Sequence, residues 1–355
     1  MSSERRFVFH GIAGTYFRIA IVNACLSIIT LGIYSAWAKV RTMRYFAGNV
    51  ELDGHRFDYH AEPLRILKGR IIAVIAFVAY NALYEINQAF SLALTILFFV
   101  ALPWIINASL RFNAFVSSYR NVRFSFGGSY FRSLHVFVIM PALGYMTLGL
   151  LTPVADRMSA RYYAGEHRFG DQTFSCDPPL GAYYGALFKA AVVVVLVLVS
   201  AGGLALVFDL FNMMSLNLSD MANNREDSGA GSMSETGAVL FTAVPVLAFM
   251  AAFIALGAWR SNIFYNHLEM NGGHRFRSEL RARRMLWIAL TNLLAIALTI
   301  GLAIPWARIR KARYVASCMT FLPNGELDEV MGTIRVLQNA VGEEMGEVFG
   351  TDVGF

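Results

Sequence analysis

The sequence predicts an all-α polytopic membrane protein with tandem internal repeats, in which five copies of a helical hairpin are each followed by a short cytoplasmic β-hairpin. Three observations support this prediction: a membrane-like composition, a series of apolar runs and a recurring phrase. Of 355 residues, 56% are hydrophobic and 15% are charged, and the mean hydropathy is +0.50. Soluble domains are nearer a quarter charged, so the composition indicates a membrane protein.

Seven apolar runs are candidate membrane helices, because a bilayer core needs about 20 apolar residues in helical form. In chain order they are Tyr16–Ile33, Ile71–Tyr84, Phe90–Ile106, Val136–Leu151, Leu187–Phe208, Ala238–Ala258 and Trp287–Ile304. Several are shorter than a full span and need aromatic anchoring, local thinning or a re-entrant path. We expect about ten helical segments in five hairpins. The alternative is six or seven simple spans with interfacial amphipathic helices.

The charge distribution predicts the orientation. The stretch 209–235 carries five acidic residues and one base, Arg225, whereas the other Lys and Arg residues cluster elsewhere. The positive-inside rule places those clusters and both termini in the cytoplasm and a polar insert, 209–236, on the other side. For a chain this apolar, the net charge of +6 favours anionic lipid headgroups over nucleic acid as the partner.

A phrase that recurs along the chain predicts its internal organisation. It reads TLGIYSAWAKVRTMRYFAG at 30–48, TLGLLTPVADRMSARYYAG at 147–165 and TIGLAIPWARIRKARYVAS at 299–317. Two further copies surround Trp104 and Arg260, the latter being the weaker. We interpret the single membrane domain 1–355 as two approximate tandem units, 8–128 and 126–325.

Each copy predicts the same local structure. An apolar helix ends at a glycine such as Gly32, a second helix carries Trp, Arg and Tyr towards the headgroups, and a hairpin follows. Asp53-Gly54 between alternating strands is a strong hairpin signal. Counterparts of this hairpin occur in SYRNVRFSF, before Phe174, at Asn271–His274 and at Leu322–Gly325. Together we expect them to form a small β-rich layer that buries apolar side chains, namely Phe57, Phe124, Phe174 and Phe276.

The opening FHGIAGTYF, the phrase at 30–48 and the hairpin LDGHRFDY together resemble a bacterial domain-of-unknown-function family that includes the YjgN inner-membrane proteins. The resemblance covers nearly the whole chain. It implies a bacterial inner-membrane protein of several spans, and it implies no particular activity. The third copy departs from the pattern, because Val154 replaces the Trp and Asp156 stands where Lys39 and Arg308 stand.

Three polar residues near the apolar runs are candidate pathway residues: Asn23, Asn292 and Glu85. Asn23 and Asn292 are equivalent in the repeat and could line a route near a pseudo-twofold axis. Interhelical hydrogen bonds are the alternative, and the better supported one. Glu85 is either an intramembrane functional acid or a solvated residue in an outer turn, which its spacing favours.

A second candidate set lies at the membrane interface and would contact lipid headgroups or neighbouring hairpins. It comprises Trp37, Arg41, Arg44, Tyr45, Trp104, Arg111, Arg161, Tyr162, Trp306, Arg313 and Tyr314. For Asp156, a structural ion pair with Arg157, Arg161 or an Arg of a neighbouring copy is the favoured reading.

Two functions fit these observations. The first is a transporter or channel for a small solute or ion, which the duplication and the intramembrane asparagines support. The alternative is a structural, lipid-organising scaffold whose Arg, Trp and Tyr girdles grip anionic lipid. We expect no enzyme, cofactor or metal site, because no hydrolase, nucleotide-binding or metal-ligand motif occurs. The acidic segment 326–355 predicts a cytoplasmic amphipathic helix or tail.

Overall fold

The computed structural model describes residues 4–86, 88–223 and 235–325. Its helices are α1 (Ala13–Ile29), α2 (Ser35–Ala47), α3 (Pro63–Ile86), α4 (Gln88–Phe115), α5 (Tyr130–Leu134), a π-helical segment (His135–Ile139), α6 (Met140–Met146), α7 (Thr152–Glu166), α8 (Leu180–Asn223), α9 (Glu235–Asn266), α10 (Ala282–Leu298) and α11 (Ile304–Ser317). Its strands are β1 (Arg5–Phe9), β2 (Val50–Leu52), β3 (His55–Tyr59), β4 (Ser117–Tyr119), β5 (Val122–Phe126), β6 (His167–Phe169), β7 (Gln172–Cys176), β8 (Leu268–Met270), β9 (His274–Ser278) and β10 (Met319–Leu322).

The strands form a closed antiparallel barrel of ten strands, in the order β1-β10-β9-β8-β7-β6-β5-β4-β3-β2. The all-α fold class is therefore wrong: most of the chain is helical, but the short hairpins do not stay separate. Each hairpin leaves backbone edges unpaired, and joining them edge to edge satisfies those groups. Closure removes the last edges, which a loose layer of hairpins would expose.

Strands β2 to β9 form four hairpins with tight turns. The turn after β2 uses Asp53 (φ 51°) and Gly54 (φ 75°), the left-handed pair of a type I′ turn, as the Asp-Gly signal predicts. The turn after β4 uses Arg120 (φ 51°) and Asn121 (φ 68°). All four turns lie at one end of the barrel, because every hairpin is entered and left through helices at the other end.

The fifth strand pair corrects the prediction of a hairpin at Leu322–Gly325. Strand β10 pairs with β9 and with the N-terminal strand β1. Two ion pairs hold β1 in place: Arg5 to Asp53 at 3.1 Å and Glu4 to Arg277 at 2.8 Å. The two ends of the described chain thus close the barrel together. The predicted acidic tail, 326–355, lies outside the described residues.

The described helices form five pairs, and each pair contacts the next around a ring that α11 and α1 close. Two pairs are long, α3–α4 and α8–α9, and together they contain four helices that are long and apolar enough to cross a membrane: Pro63–Tyr84, Ala89–Phe115, Leu180–Gly203 and Ala243–Asn266. The other three pairs, α1–α2, α5–α7 and α10–α11, are short. Their longest helices have 17 residues, about 25 Å at 1.5 Å per residue.

Helix α8 extends into the polar insert, whose predicted place outside the cytoplasm stays a prediction. It continues through Asn223, so residues 209–223 are helical instead of forming a separate polar segment. Residues 224–234 of the insert lie outside the described residues. The two tandem units, 8–128 and 126–325, stay an interpretation of the sequence.

Candidate functional site: the barrel cavity and the helix ends around it

The barrel encloses a cavity of about 610 Å³. Its wall is made by five cross-strand pairs, each joining a Phe of one strand to a large apolar residue of the next. The pairs are Phe7–Leu52, Phe57–Tyr119, Phe124–Phe169, Phe174–Met270 and Phe276–Phe321. Alternation along each strand points these residues inwards and the intervening Arg, Ser and Thr residues outwards. A barrel of about this strand number leaves room for one small ligand.

The rings that line the cavity contact each other closely. The centroids of Phe57 and Tyr119 are 4.7 Å apart, and those of Phe124 and Phe169 are 4.8 Å apart. The Tyr119 hydroxyl donates a hydrogen bond of 2.7 Å to the Leu52 carbonyl, which satisfies the polar group of this buried ring. The wall is therefore aromatic and apolar, with its one deep hydroxyl already used by the protein backbone.

The two ends of the cavity differ. At the turn end, Val122 and His274 are fully buried and do not border the cavity. His274 Nδ1 accepts the backbone N–H of Asn324 at 2.9 Å, and burial lowers the pKa of His274. At the helix end, half-buried residues border the cavity, among them Tyr163, His167 and Tyr265. The cavity thus extends from the barrel towards the helices, between the end of α7 and the end of α9.

Four of the five arginines of the interface set bind the protein itself. Arg44 Nε lies 3.4 Å from the Tyr59 carbonyl oxygen, Arg111 donates to Gly128 O at 2.7 Å, and Arg313 donates to Gly11 O at 3.1 Å. Each carbonyl belongs to the end of a strand or the loop after it, so each Arg fastens a helix end to the barrel. Arg161 does the same through the Asp177 carboxylate at 2.9 Å, and this contact lowers the pKa of Asp177.

The tyrosines of the set fasten the start of the short helix pairs. Tyr45 accepts the N–H of Ile12 at 2.8 Å, and Tyr314 accepts the N–H of Arg281 at 2.9 Å. The Tyr162 hydroxyl lies 3.3 Å from the carbonyl oxygen of Ser129. Ile12, Ser129 and Arg281 are the N-cap residues of α1, α5 and α10, and each lies 33 positions before its tyrosine.

The tryptophans and Arg41 face outwards. Trp104 and Trp306 are exposed, and the Arg310 guanidinium lies 5.1 Å from the Trp306 ring centroid. Trp37 is half-buried and stacks on Tyr34. Arg41 is exposed, and among the described residues it has no ion pair or hydrogen bond. The interface set therefore divides into arginines and tyrosines that hold the fold and a smaller group that faces the surroundings.

The candidate pathway residues join helices. Asn23 and Asn292 are 6% and 8% exposed, and their Nδ2 atoms donate to the carbonyls of Ala38 at 3.4 Å and Ala307 at 3.3 Å. Both bonds connect the two helices of one short pair. The side chain of Glu85 lies outside what the structure describes. Among the described residues, no group of three or more His, Cys, Asp or Glu could hold a metal ion.

Asp156 forms an ion pair with Arg260 at 2.8 Å, so α7 is tied to α9. Of the three partners that the sequence suggested for Asp156, namely Arg157, Arg161 and an Arg of a neighbouring copy, Arg260 is the last kind. Tyr163 and Tyr265, which border the cavity, belong to the same two helices.

The sequence reading missed strand β1 and the closure of the barrel. A signal was present: RRFVF at Arg5–Phe9 repeats the spacing of HRFDY at His55–Tyr59 and VRFSF at Val122–Phe126. A comparison of the hairpin strands with the N-terminal residues would have predicted strand β1. The pairing of hairpins from distant parts of the chain has no local sequence signal.

The four candidate spans of the described helices define a multi-pass membrane protein, and its similarity to the relatives named below places it in the bacterial inner membrane. The chain belongs to a bacterial protein family of unknown function (DUF898), whose model matches residues 4–348. It is similar to the inner membrane protein YjgN of Salmonella typhimurium, with 26% identity over 94% of this chain and 92% of the relative.

The chain is also 33% identical to YjgN of Escherichia coli K12 over 153 residues, which are 43% of this chain and 38% of that relative. It thus matches well under half the length of this curated relative. No solved structure matches the chain.

Proposed function

We propose that this protein is a lipid-organising scaffold of the cytoplasmic leaflet, in which long and short helix pairs hold the barrel against the inner membrane surface. The observation that carries the proposal is the exposure of three apolar tips. Leu31, Leu148 and Ile300, at the turns of the short pairs, are 95%, 96% and 95% exposed. Apolar side chains this exposed need an apolar surrounding, which the bilayer supplies.

The three tips share one strained backbone conformation. Leu31, Leu148 and Ile300 have φ of 49°, 52° and 49°, and each is followed by a glycine at φ 89° to 91°. An apolar L-residue in the left-handed region is unfavourable, most of all a β-branched one. Each turn is held by a bond from the glycine N–H to the carbonyl five residues earlier, for example Gly32 to Ser27 at 2.7 Å. Such rigid tips support a defined depth of insertion.

The lengths of the helix pairs support an uneven insertion. Around the ring the order is short, long, short, long, short, so each long pair lies between two short pairs, and the first and last short pairs are neighbours. The helices of the short pairs are shorter than the typical span of about 20 residues. Lipids beside a short pair meet the protein in one leaflet, and lipids beside a long pair meet it in both. The expected effect is a local adjustment of bilayer thickness around the ring.

A fivefold origin of this architecture is part of the proposal. What supports it is the recurrence of one inward Phe in each of five strands, together with the shared 33-residue spacing of the tyrosine contacts. At the position where the short pairs carry a tyrosine, the long pairs carry Phe112 and Phe264. The tyrosine hydroxyl therefore occurs in the short pairs and not in the long ones.

The transport hypothesis has less support. Asn23 and Asn292 are occupied by bonds to the partner helix, whereas a solute route needs polar groups that face a cavity. We therefore favour the scaffold and propose no catalytic role. Arg41, exposed near Trp37, is the residue of the interface set best placed to contact an anionic headgroup.

Insertion depth tests the proposal. Single nitroxide labels at Leu148→Cys and Ile300→Cys, in a background without native cysteines, are placed in vesicles of phosphatidylethanolamine and phosphatidylglycerol. We expect high oxygen collisions and low collisions with a water-soluble nickel chelate. Thr173→Cys, on the outer barrel face, is the matched control and should show the reverse. If the labels at the tips collide with the nickel chelate as often as the label at Thr173→Cys does, membrane insertion is refuted.

Anionic headgroup contact has its own test. Arg41→Gln should weaken the association of phosphatidylglycerol with the protein, read as the fraction of motionally restricted spin-labelled lipid. Arg44→Gln is the control, since Arg44 contacts the Tyr59 carbonyl and should affect stability more than lipid selectivity. Equal lipid selectivity of Arg41→Gln and wild type would contradict the headgroup role.

A further inference from the structure

We infer that the barrel cavity is a binding site for the acyl chain of an amphiphile that enters from the bilayer. The inference rests on the proposed placement of the barrel against the cytoplasmic leaflet, and it adds a ligand site to that scaffold. Its volume of about 610 Å³ lies within the range of small-molecule sites, which is about 300–1,000 Å³.

The lining selects a neutral, apolar ligand. Its residues include no Asp, Glu, Lys or Arg, and His167 is the one titratable imidazole among them. A charged or strongly polar ligand would lose its hydration without finding a partner in this wall. An apolar chain loses no hydrogen bonds there and gains contacts with the rings.

The position of the opening selects the source. At the turn end Val122 and His274 are buried and do not border the cavity, whereas the lining residues that lie beyond the strands, such as Tyr163 and Tyr265, lie at the helix end. That end is continuous with the ring of helices whose apolar tips we place in the leaflet. We therefore place the entry of the acyl chain at this end, between α7 and α9.

The opening also offers polar groups for the head of such a molecule. His167 Nδ1 is bonded to the Tyr163 carbonyl at 2.6 Å, which leaves Nε2 available. The hydroxyls of Tyr163 and Tyr265 have no hydrogen-bond partner among the described residues. These three groups border the cavity where it meets the helices, so an ester or carboxyl group can lie beside them while the chain occupies the barrel.

Photocrosslinking tests this site. The full chain is placed in vesicles that contain phosphatidylethanolamine with a diazirine near the end of one acyl chain, and labelled peptides are mapped after irradiation. We expect labels on inward strand residues such as Phe174 and Phe276. Met319→Trp, which fills the opening, should lower strand labelling by about tenfold, because an indole there overlaps the chain. Thr320→Trp, the outward neighbour, should leave it unchanged.

A second filling variant and the identification of the bound molecule complete the test. Leu268→Trp is a second filling variant, with Glu269→Trp as its outward control, should Met319→Trp fail to fold by circular dichroism. Mass spectrometry of the co-purified ligand then separates a phospholipid from a free fatty acid, and either one supports the acyl-chain site.

The inference is overturned if the strands stay unlabelled or if labelling survives both filling variants. Labelled tip peptides around Leu148 with unlabelled strands would refute the cavity site alone and leave the scaffold standing. Unlabelled tips and strands together would refute both proposals.

Discussion

Asn23 and Asn292 provide a sharp prediction, because equivalent side chains have different partners. Asn292 donates to the Ala307 carbonyl, and its Oδ1 accepts a hydrogen bond from Arg310 at 3.1 Å. Asn23 makes the corresponding bond to Ala38, but its buried Oδ1 has no partner. Replacing each Asn by Leu, which has nearly the same shape, removes these groups without leaving a large cavity.

The magnitudes follow from these contacts. Asn292→Leu loses a neutral hydrogen bond, worth about 1 kcal/mol, and a charge-assisted one, worth about 1.5–3 kcal/mol. Because Arg310 also binds Thr291 and is partly exposed, we discount the second to about 1 kcal/mol. The expected loss of unfolding free energy is about 2 kcal/mol. Asn23→Leu loses one bond but also removes an unsatisfied buried oxygen, so its expected change is about zero.

The assay is reversible denaturant unfolding in detergent micelles, with helical circular dichroism as the signal. Asn292→Leu should lower the midpoint, and Asn23→Leu should keep it. Equal losses for both variants, or a larger loss for Asn23→Leu, would refute the assignment of these bonds. The transport hypothesis makes a different prediction, since both variants would then abolish solute flux irrespective of stability.

Three further predictions use other contacts. Tyr314→Phe should cost about 1 kcal/mol of unfolding free energy, because the N–H of Arg281 loses its acceptor; denaturant titration measures it. Burial lowers the pKa of His274, so the unfolded chain binds its proton first as pH falls below about 6.5. Stability should be full above that pH and decrease below it, by at most about 1.4 kcal/mol per pH unit, and a His274→Asn variant should lose this slope in melting curves. Asp156→Ala should cost about 1–3 kcal/mol by leaving Arg260 unpaired in a half-buried site, and Asp156→Leu combined with Arg260→Met should restore most of it, as a double-mutant cycle would show.

Several predictions from the sequence were confirmed because their signals are local. The Asp53-Gly54 hairpin follows from residues that favour the left-handed conformation, and the membrane class follows from composition. Strand β1 was missed, because five residues with two arginines resemble a polar terminus when considered alone. Its partners, β10 and β2, lie far away in the sequence, and only their free edges explain why it pairs there.

The interface set also shows the difference between what residue type predicts and what the tertiary structure decides. Arg44 and Trp104 were both assigned to lipid headgroups or neighbouring hairpins, since either residue type suits that region. In the structure Trp104 is exposed, whereas Arg44 lies against a carbonyl at the end of β3. Residue type alone cannot separate these roles, because a guanidinium binds a phosphate and a peptide carbonyl through the same N–H groups.

By itself the sequence determined the membrane class and the positions of tight turns such as Asp53-Gly54. These features depend on composition, on periodicity and on backbone preferences, all of which act over a few neighbouring residues. Only the tertiary structure decided that the hairpins close into one barrel, that five pairs such as Phe57–Tyr119 line a cavity, and that this cavity extends towards the helices. Those features depend on hydrogen bonds between strand edges far apart in the chain, and the register of such edges is fixed only when all ten strands are present together.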